Sequence, residues 1–167
     1  HTAVPATTGL AKRLFGARSD AFVFEAIQPD KGRDVFEIET KDGKTVIRGN
    51  TGVSMAMGLN WYFKYYCHVS LRGNQLKLPD PLPNVEPKVR KTSWAKYRYF
   101  LNYCTFGYSM PFWDWHQWEA FIDWMALNGI NSPLAVTGQE ATWRSVCRRM
   151  AMNDEEITNV FAGPPYL

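Results

Sequence analysis

Apolar and polar residues alternate along the stretch FEIET, residues 36–40, which is the period of a strand with one buried face. Asp42-Gly43 follows this stretch, and such a pair favours the positive φ angles of a tight hairpin turn. The apolar residues beyond the turn belong to the returning strand, and the run AFVFEAI at residues 21–27 predicts another strand. These patterns together predict a small sheet of three strands.

The hydrophobic period lengthens to three or four residues after Asn50, which predicts a helix over residues 51–66 capped by Asn50 or Thr51. The large side chains that share one face of this helix are Met55, Leu59, Tyr62, Phe63 and Tyr66. Residues 1–20 are mixed in character, with a short apolar and basic piece around Leu10 to Phe15. The first part of the chain is therefore expected to be a small α+β unit, with the helix packed on the sheet.

Four prolines interrupt the stretch NQLKLPDPLPNVEPKV, residues 74–89, and exclude both a continuing helix and a central strand. We interpret this stretch as the connection between two domains, which would span residues 1–88 and 89–167. The basic run from Lys88 to Arg98 is interpreted as a solvated linker.

Strand and helix patterns alternate from Tyr97 onward, with short turns between them. The predicted elements are a strand at 96–103, a helix from Asp114 to Asn128-Gly129, a strand at 130–136, a helix at 141–152 and a helix capped by Asn153 with Glu156. This alternation is the start of a parallel α/β array, whose ligands meet the turns after the strands' carboxyl ends. The 71 residues from Tyr97 hold two such units, whereas a closed (β/α)8 barrel needs about 250 residues.

The helix after Asp114 carries a capping box with Gln117 and a predicted apolar stripe. The members of that stripe are Trp115, Trp118, Ile122 and Met125. Helical spacing favours core packing for the two tryptophans. Trp113 lies in the turn before the helix, where it is better placed to meet a ligand.

Composition and charge exclude several classes of function. The net charge is +3, and the basic residues are scattered rather than clustered on one face, so we expect no nucleic-acid partner. Three cysteines and three histidines show no metal-ligand spacing, and neither a metal nor another cofactor is expected. No apolar run is long enough to insert into a membrane. The chain begins with His1 and shows no secretory segment, so a signal peptide would already have been removed.

Polar residues follow the first strand of the array, where its turn begins. Asn102 offers two donors and an acceptor, and Tyr108 offers a hydroxyl and a ring face. Asn102 and Cys104 have equally good structural interpretations, as a side chain that satisfies its own turn and as a small buried apolar residue. The pattern alone does not choose between these possibilities.

Gln139-Glu140 follows the second strand and brings one carboxylate to its turn. A glycosidase needs two carboxyl groups that flank one bond. Asp114 and Asp123 are better explained as a helix cap and a residue on the helix surface. The residues alone therefore do not identify a reaction.

The stretch YRYFLNYCTFGYSMPFWDWHQWEAFIDWMALNGINSPLAVTGQEATW, residues 97–143, closely resembles glycoside hydrolase family 89, the α-N-acetylglucosaminidases. Its phrases WDW, EAFIDWMALNGIN and GQEA carry the likeness, which extends back through CHVSLRGNQLKLPDPLP and forward to FAGPPYL. The resemblance implies an α/β fold: a small amino-terminal α+β domain followed by the first two βα units of a (β/α)8-type barrel.

The same resemblance implies removal of terminal α-linked N-acetylglucosamine with retention of configuration, by one glutamate as nucleophile and another as acid/base. Both glutamates would lie beyond Leu167, so no catalytic residue is predicted in this chain and the chain alone is expected to be inactive. The resemblance further implies that the partners are the glycan and the remainder of the chain's own polypeptide. It also implies export, to a secreted, periplasmic or lysosomal location.

The family places polar residues from the end of the first barrel strand against the sugar. By resemblance these positions are Asn102, Cys104 and Tyr108 here, and Gln139, Glu140 and Trp113 would support the pocket wall. Two other functions stay open. One is a non-catalytic carbohydrate-binding or interaction module on the same scaffold, and the other is a stand-alone enzyme that pairs Glu140 with another carboxylate. Two glutamates at the ends of later strands would favour the glycosidase over both of these alternatives.

Overall fold

The computed structural model describes residues 2–70, 77–100, 104–135 and 138–161, with the backbone alone at Phe106. The helices are α1 (Ala3–Phe15), α2 (Gly52–Tyr65), α3 (Thr105–Tyr108), α4 (Trp115–Leu127), α5 (Gln139–Arg149) and α6 (Asp154–Val160), and a 3-10 turn spans Gly16–Ala21. The strands are β1 (Phe22–Ala26), β2 (Val35–Lys41), β3 (Lys44–Gly49), β4 (Val89–Thr92), β5 (Tyr99–Phe100) and β6 (Ser132–Pro133).

The first sheet has the strand order β1-β3-β2-β4. β1 runs parallel to β3, while β2 runs antiparallel to both β3 and β4. The predicted hairpin between β2 and β3 is confirmed, because Asp42 and Gly43 both take positive φ, 51° and 74°. The predicted strand at 21–27 is confirmed as β1.

Helix α2 covers one face of this sheet, as predicted. It begins at Thr51, whose hydroxyl accepts a hydrogen bond from the backbone N–H of Ser54 at 3.0 Å, in a reciprocal capping box. Met55, Leu59, Tyr62 and Phe63 of its predicted apolar face are fully buried in one cluster with Ile38 and Ile47 of the sheet, and Tyr66 is partly buried against it. Burying each large side chain of this kind contributes about 1.5–3 kcal/mol, so this layer is the main source of stability in the first part.

The first part contains two elements that the sequence patterns did not predict. Residues 3–15 form helix α1, in which the hydroxyls of Thr7 and Thr8 donate back to carbonyls one turn earlier, both at 2.9 Å. Val89–Thr92 is not solvated linker but the edge strand β4, because it pairs with β2 from Val35 to Ile38. The sheet therefore extends past residue 88, and the boundary between residues 88 and 89 stays a prediction.

The second part contains the predicted parallel strands. β5 and β6 pair with Tyr99 opposite Ser132 and Phe100 opposite Pro133. Both strands are shorter than predicted, and residues 101–103 and 136 of the predicted segments lie outside the described residues.

The helices of the second part begin and end largely where the sequence predicts. Asp114 and Gln117 form the predicted capping box of α4, and Gly129 ends the helix with φ 78°. Asn153 and Glu156 form the predicted box of α6.

Helix α4 packs against the first part of the chain. Its predicted apolar stripe is only partly buried by this packing. Met125 is buried, but Trp115 and Ile122 are 64% and 46% exposed, so the stripe was only partly right. Asp123, predicted on the helix surface, is buried and binds the guanidinium of Arg13 through both oxygens, at 2.6 and 2.7 Å. The side of α4 that carries Asp123 and Met125 faces inward because the residues that it contacts lie on α1 and α2.

We expect Gly58→Ala to lower the free energy of unfolding by about 1–3 kcal/mol, although alanine is the better helix former. A Cβ at this position would lie 2.9 Å from Ile47 Cγ2 and 3.2 Å from Phe36 Cδ2, between α2 and the sheet. Gly9→Ala in α1 is the matched control, since its Cβ would meet only Arg13 Nη1 at an ordinary 3.5 Å. Urea unfolding of both variants measures the contrast, and equal effects of the two substitutions would contradict this packing.

Stability should also decline at alkaline pH because of Tyr62. Burial raises the pKa of this phenol to about 12, and its hydroxyl donates to the carbonyl of Pro83 at 2.8 Å. An unfolded tyrosine titrates near pH 10, so the neutral buried phenol stabilises the fold fully below about pH 10 and loses that contribution as pH rises to about 12. The free energy of unfolding should fall less steeply over this interval in Tyr62→Phe; identical pH slopes would refute this linkage.

Candidate functional site

The carboxyl ends of the parallel strands β5 and β6 point to one edge of their sheet, where ligands bind in α/β folds. The chain leaves β5 at Phe100 and leads through the turn at Cys104 into α3. It leaves β6 at Pro133 and enters α5 after Gly138. The described parts of these two connections, at Phe100 with Cys104 and at Pro133 with Gly138, are called the strand-end site, and the predicted residues Asn102, Cys104, Gln139 and Glu140 lie in or next to these connections along the sequence.

The opposite end of β5 is fixed by Arg98. Its guanidinium donates to the carboxylate of Asp34 and to the carbonyl of Gly129, and also to Ser93 Oγ at 3.1 Å and the Ala95 carbonyl at 2.9 Å. Both charged side chains are largely buried, at 13% and 10% exposed. A buried charge is stable only when its partners satisfy it, so this arrangement defines where β5 starts.

Asn131 extends the hydrogen-bond network around Arg98 to the start of β6. Its side-chain oxygen accepts from the backbone N–H of Arg98 at 2.8 Å, and its amide donates to the carbonyl of Lys96 at 2.9 Å. Asp34 in turn accepts from Asn50 and Thr51, both at 3.2 Å, at the start of α2. The first sheet, its covering helix and both strands of the second sheet therefore share one polar network, which sequence reasoning missed because its members are far apart along the chain.

An aromatic cluster lies between β5 and α4. Its members are Phe100, Trp113, Trp118, Phe121 and Trp124, whose neighbouring rings lie 5.2–6.4 Å apart. Trp113 packs edge-on against Trp118 and Phe121, and its backbone N–H donates to the Met110 carbonyl at 3.2 Å. Aromatic pairs of this kind contribute about 0.5–1.5 kcal/mol beyond their burial, so the cluster holds the segment between α3 and α4 in place.

The structure describes two of the three residues predicted to bind substrate. Cys104 precedes α3 and is exposed, contrary to the alternative of a small buried apolar residue. Tyr108 ends α3, and 60% of its surface is exposed. Asn102 lies outside the described residues. The binding roles of all three stay predictions, as does the supporting role of Trp113.

Gln139 and Glu140 are exposed in the first turn of α5. Gly138 precedes them with φ 91°, a left-handed conformation that glycine adopts without strain. The negative charge of Glu140 is favourable at the amino end of a helix, whose dipole is positive there. Their supporting role stays a prediction.

Glu140, in the first turn of α5, is the acidic residue that directly follows a strand-end turn in the sequence. The sequence from Asp114 onward has seven acidic residues, and the others lie on the helices or at their caps. Asp114 and Glu156 belong to capping boxes, and Asp123 binds Arg13. A reaction that needs two carboxylates at this edge therefore requires residues other than those the structure describes.

Two further searches cover only the described ranges. Within them, no three His, Cys, Asp or Glu side chains are grouped so that they could hold a metal ion. No helix in the same ranges is long and apolar enough to cross a bilayer.

Two family models match the chain. The model described as the "Alpha-N-acetylglucosaminidase (NAGLU) N-terminal domain" matches residues 5–84. The model described as the "Alpha-N-acetylglucosaminidase (NAGLU) tim-barrel domain" matches residues 98–167. The two matches account for most of the chain.

Comparison with individual proteins agrees with these two family models. Human α-N-acetylglucosaminidase is 41% identical over 169 residues, which cover 97% of this chain and 23% of the human protein. A family 89 glycoside hydrolase from Clostridium perfringens, solved with 2-acetamido-1,2-dideoxynojirmycin, is 40% identical with a TM-score of 0.89, over 99% of this chain and 19% of that one. The same bacterial enzyme, solved with its substrate GlcNAc-alpha-1,4-galactose, is 41% identical with a TM-score of 0.85, over 93% and 18% of the two chains.

The chain thus spans about a fifth of the length of the relatives it matches. Its fold follows theirs over nearly its whole length, from the first sheet through the two βα units. On these grounds the chain belongs to the α-N-acetylglucosaminidases of glycoside hydrolase family 89.

Proposed function

We propose that the complete protein containing this chain removes terminal α-linked N-acetylglucosamine from the non-reducing ends of glycans. The observation that carries this proposal is the TM-score of 0.89 at 40% identity to an enzyme solved with an acetamido iminosugar. In this proposal residues 1–88 form the amino-terminal domain with its connection, and residues 89–167 begin the catalytic (β/α)8 barrel. The protein would be exported and would need no cofactor.

The mechanism we propose uses two glutamates, one as nucleophile and one as acid/base, with retention of configuration. Support comes from the bacterial relative solved with its substrate, in which two glutamates are replaced by glutamine. A retaining pair must lie about 5–5.5 Å apart across the scissile bond. By the resemblance to the family, both catalytic glutamates would lie on later parts of the barrel, and Glu140 would not be one of them.

This chain would supply one side of the sugar-binding pocket. The amide of Asn102 can donate to and accept from a sugar hydroxyl or the acetamide group. Cys104 and Tyr108 are proposed to line the same pocket, since both are exposed beyond the carboxyl end of β5. Gln139 and Glu140 would support the pocket from the neighbouring turn, and Trp113 would do so through the aromatic cluster.

The remainder of the polypeptide is the second proposed partner. Helices α4 and α5 expose large apolar side chains that a barrel would cover with its further strands and helices. These side chains are Trp115, Ile122, Trp143, Val146 and Met150. Removing these side chains from water would stabilise the complete protein.

The complete protein should hydrolyse an aryl α-N-acetylglucosaminide, whereas the 167-residue chain should not exceed the background rate. The described residues of the strand-end site include no pair of carboxylates, so neither formation nor hydrolysis of a glycosyl-enzyme intermediate has a route there. Release of the aryl alcohol measures both reactions. Turnover by the chain alone that Glu140→Gln abolishes would favour the stand-alone enzyme, and binding without turnover by the complete protein would favour the non-catalytic module.

In the complete protein, Asn102→Ala should leave the melting temperature near that of the unsubstituted protein and lower kcat/KM roughly 5- to 150-fold. This range corresponds to about 1–3 kcal/mol of lost transition-state binding. Asn131→Ala is the matched control, because its amide braces the strand starts and should lower the melting temperature instead. A normal kcat/KM with a depressed melting temperature in Asn102→Ala would show that Asn102 is a turn residue.

A further inference from the structure

The connection that follows β5, residues 101–112, carries the three residues proposed to contact the sugar. Within its described part, the regular structure is the single helical turn α3. A helix of four residues is not stable in water unless other parts of the protein pack against it. Met110 supplies one such contact, since only 8% of its surface is exposed. Tertiary contacts therefore decide where this connection lies.

Phe121 of α4 contacts both ends of the connection. Its ring centroid lies 6.1 Å from that of Phe100, the residue before the connection, and 5.4 Å from that of Trp113, the residue after it. The ring planes meet at 52° and 72°, which are favourable angles for aromatic pairs. One side chain thus joins the two points at which the connection begins and ends.

Two tryptophans of the same helix reinforce these contacts. Trp124 stacks on Phe121 at 5.8 Å, with ring planes 5° apart, and lies 5.3 Å from Phe100. Trp118 lies 6.4 Å from Phe121 and 5.2 Å from Trp113. Phe121 is therefore in ring contact with every other member of the aromatic cluster.

The helix that carries Phe121 is itself fixed from its other side. Asp123 binds the guanidinium of Arg13 through both carboxylate oxygens, and the carbonyl of Leu127 accepts from the amide of Asn60 at 2.9 Å. These contacts hold α4 against the first part of the chain. Shortening the side chain at position 121 would therefore release the connection rather than draw the helix toward it.

We propose that Phe121 is a positioning residue for the sugar-binding pocket: its ring holds both ends of the connection and thereby sets the places of Asn102, Cys104 and Tyr108. The inference rests on the proposed function, in which these three residues bind the terminal sugar. Groups that are already in place before a ligand arrives lose less conformational freedom when it binds. Loss of the Phe121 ring would therefore weaken sugar binding although every proposed sugar contact remains in the sequence.

The test compares three variants of the complete protein: Phe121→Leu, Phe121→Tyr and Phe63→Leu. Calorimetry measures the Kd of 2-acetamido-1,2-dideoxynojirmycin, and hydrolysis of an aryl α-N-acetylglucosaminide gives KM and kcat. Phe121→Leu should raise Kd and KM about tenfold and change kcat less than about threefold, because the connection is ordered once the sugar is bound. Phe121→Tyr keeps the ring and should stay within about twofold of the unsubstituted protein.

Phe63→Leu is the matched control, because it makes the same change in the fully buried core of the first part. Lower stability reduces the amount of folded protein and hence the apparent kcat, but it leaves the Kd and KM of the folded molecules unchanged. A rise in Kd therefore separates positioning from a purely structural role.

Hydrogen exchange follows the connection without any sugar. The backbone N–H groups of Gly107 and Met110 donate within it at 3.1 Å, and that of Trp113 donates back to Met110 at 3.2 Å. Exchange of these three amides should be about tenfold faster in Phe121→Leu and unchanged in Phe63→Leu, because the opening is local. If Phe121→Leu does not fold, Phe121→Met, which fills a similar volume, takes its place.

Three outcomes would overturn the inference. The first is an unchanged Kd in the variant that lacks the ring, and the second is an equal rise of Kd in Phe63→Leu, which would indicate general destabilisation. The third is no binding of the iminosugar by the unsubstituted protein. Hydrolysis without a dependence of Kd on Phe121 refutes this inference alone, and binding that depends on Phe121 without hydrolysis refutes the proposed activity alone.

Discussion

The buried ion pair between Asp34 and Arg98 is the constraint on which the arrangement of the two parts depends. Removing one partner would leave an uncompensated charge in a largely buried position, at a cost of about 3–5 kcal/mol. The guanidinium can meet its acceptors only if the start of β2, the end of α4 and the start of β5 converge. Because Asp34 also accepts from Asn50 and Thr51, the capped end of α2 is fixed at the same place. The first strand of the barrel therefore starts from a position that the amino-terminal sheet determines.

The end of α4 shows how the two parts satisfy each other's backbone. The last carbonyls of a helix have no partner within it. Here the amide of Asn60 donates to the carbonyl of Leu127 at 2.9 Å, and Arg98 donates to that of Gly129. A Cβ on Gly129 would lie 2.7 Å from the sulfur of Met57, so the close approach of α2 depends on glycine. Helix α4 is thus held at its end by these hydrogen bonds and within the helix by the ion pair between Asp123 and Arg13. Its other side carries the aromatic cluster.

Local rules account for what the sequence predicted well, and long-range contacts account for what it did not. The β2–β3 hairpin and the caps at Thr51 and Asp114 depend on residues within four positions of one another. Helix α1 contains threonines and a glycine that lower its propensity, and it forms because Leu10 packs in the core. Strand β4 is recognisable only through its pairing with β2. The sequence alone left open whether Cys104 is buried or exposed, and partners 64 residues apart, as in the Asp34–Arg98 pair, leave no local signal.

Leu127 is 1% exposed and belongs to the same hydrophobic cluster as Ile38 and Ile47, although it lies in the segment matched by the barrel model. The division between the parts along the sequence therefore differs from their division in space. A chimera joined at the proline-rich connection would replace a piece of the first core along with the barrel. Recombination between distant relatives would then succeed only where α4 is inherited together with the sheet that it completes, so the two parts are expected to diverge as one evolutionary unit.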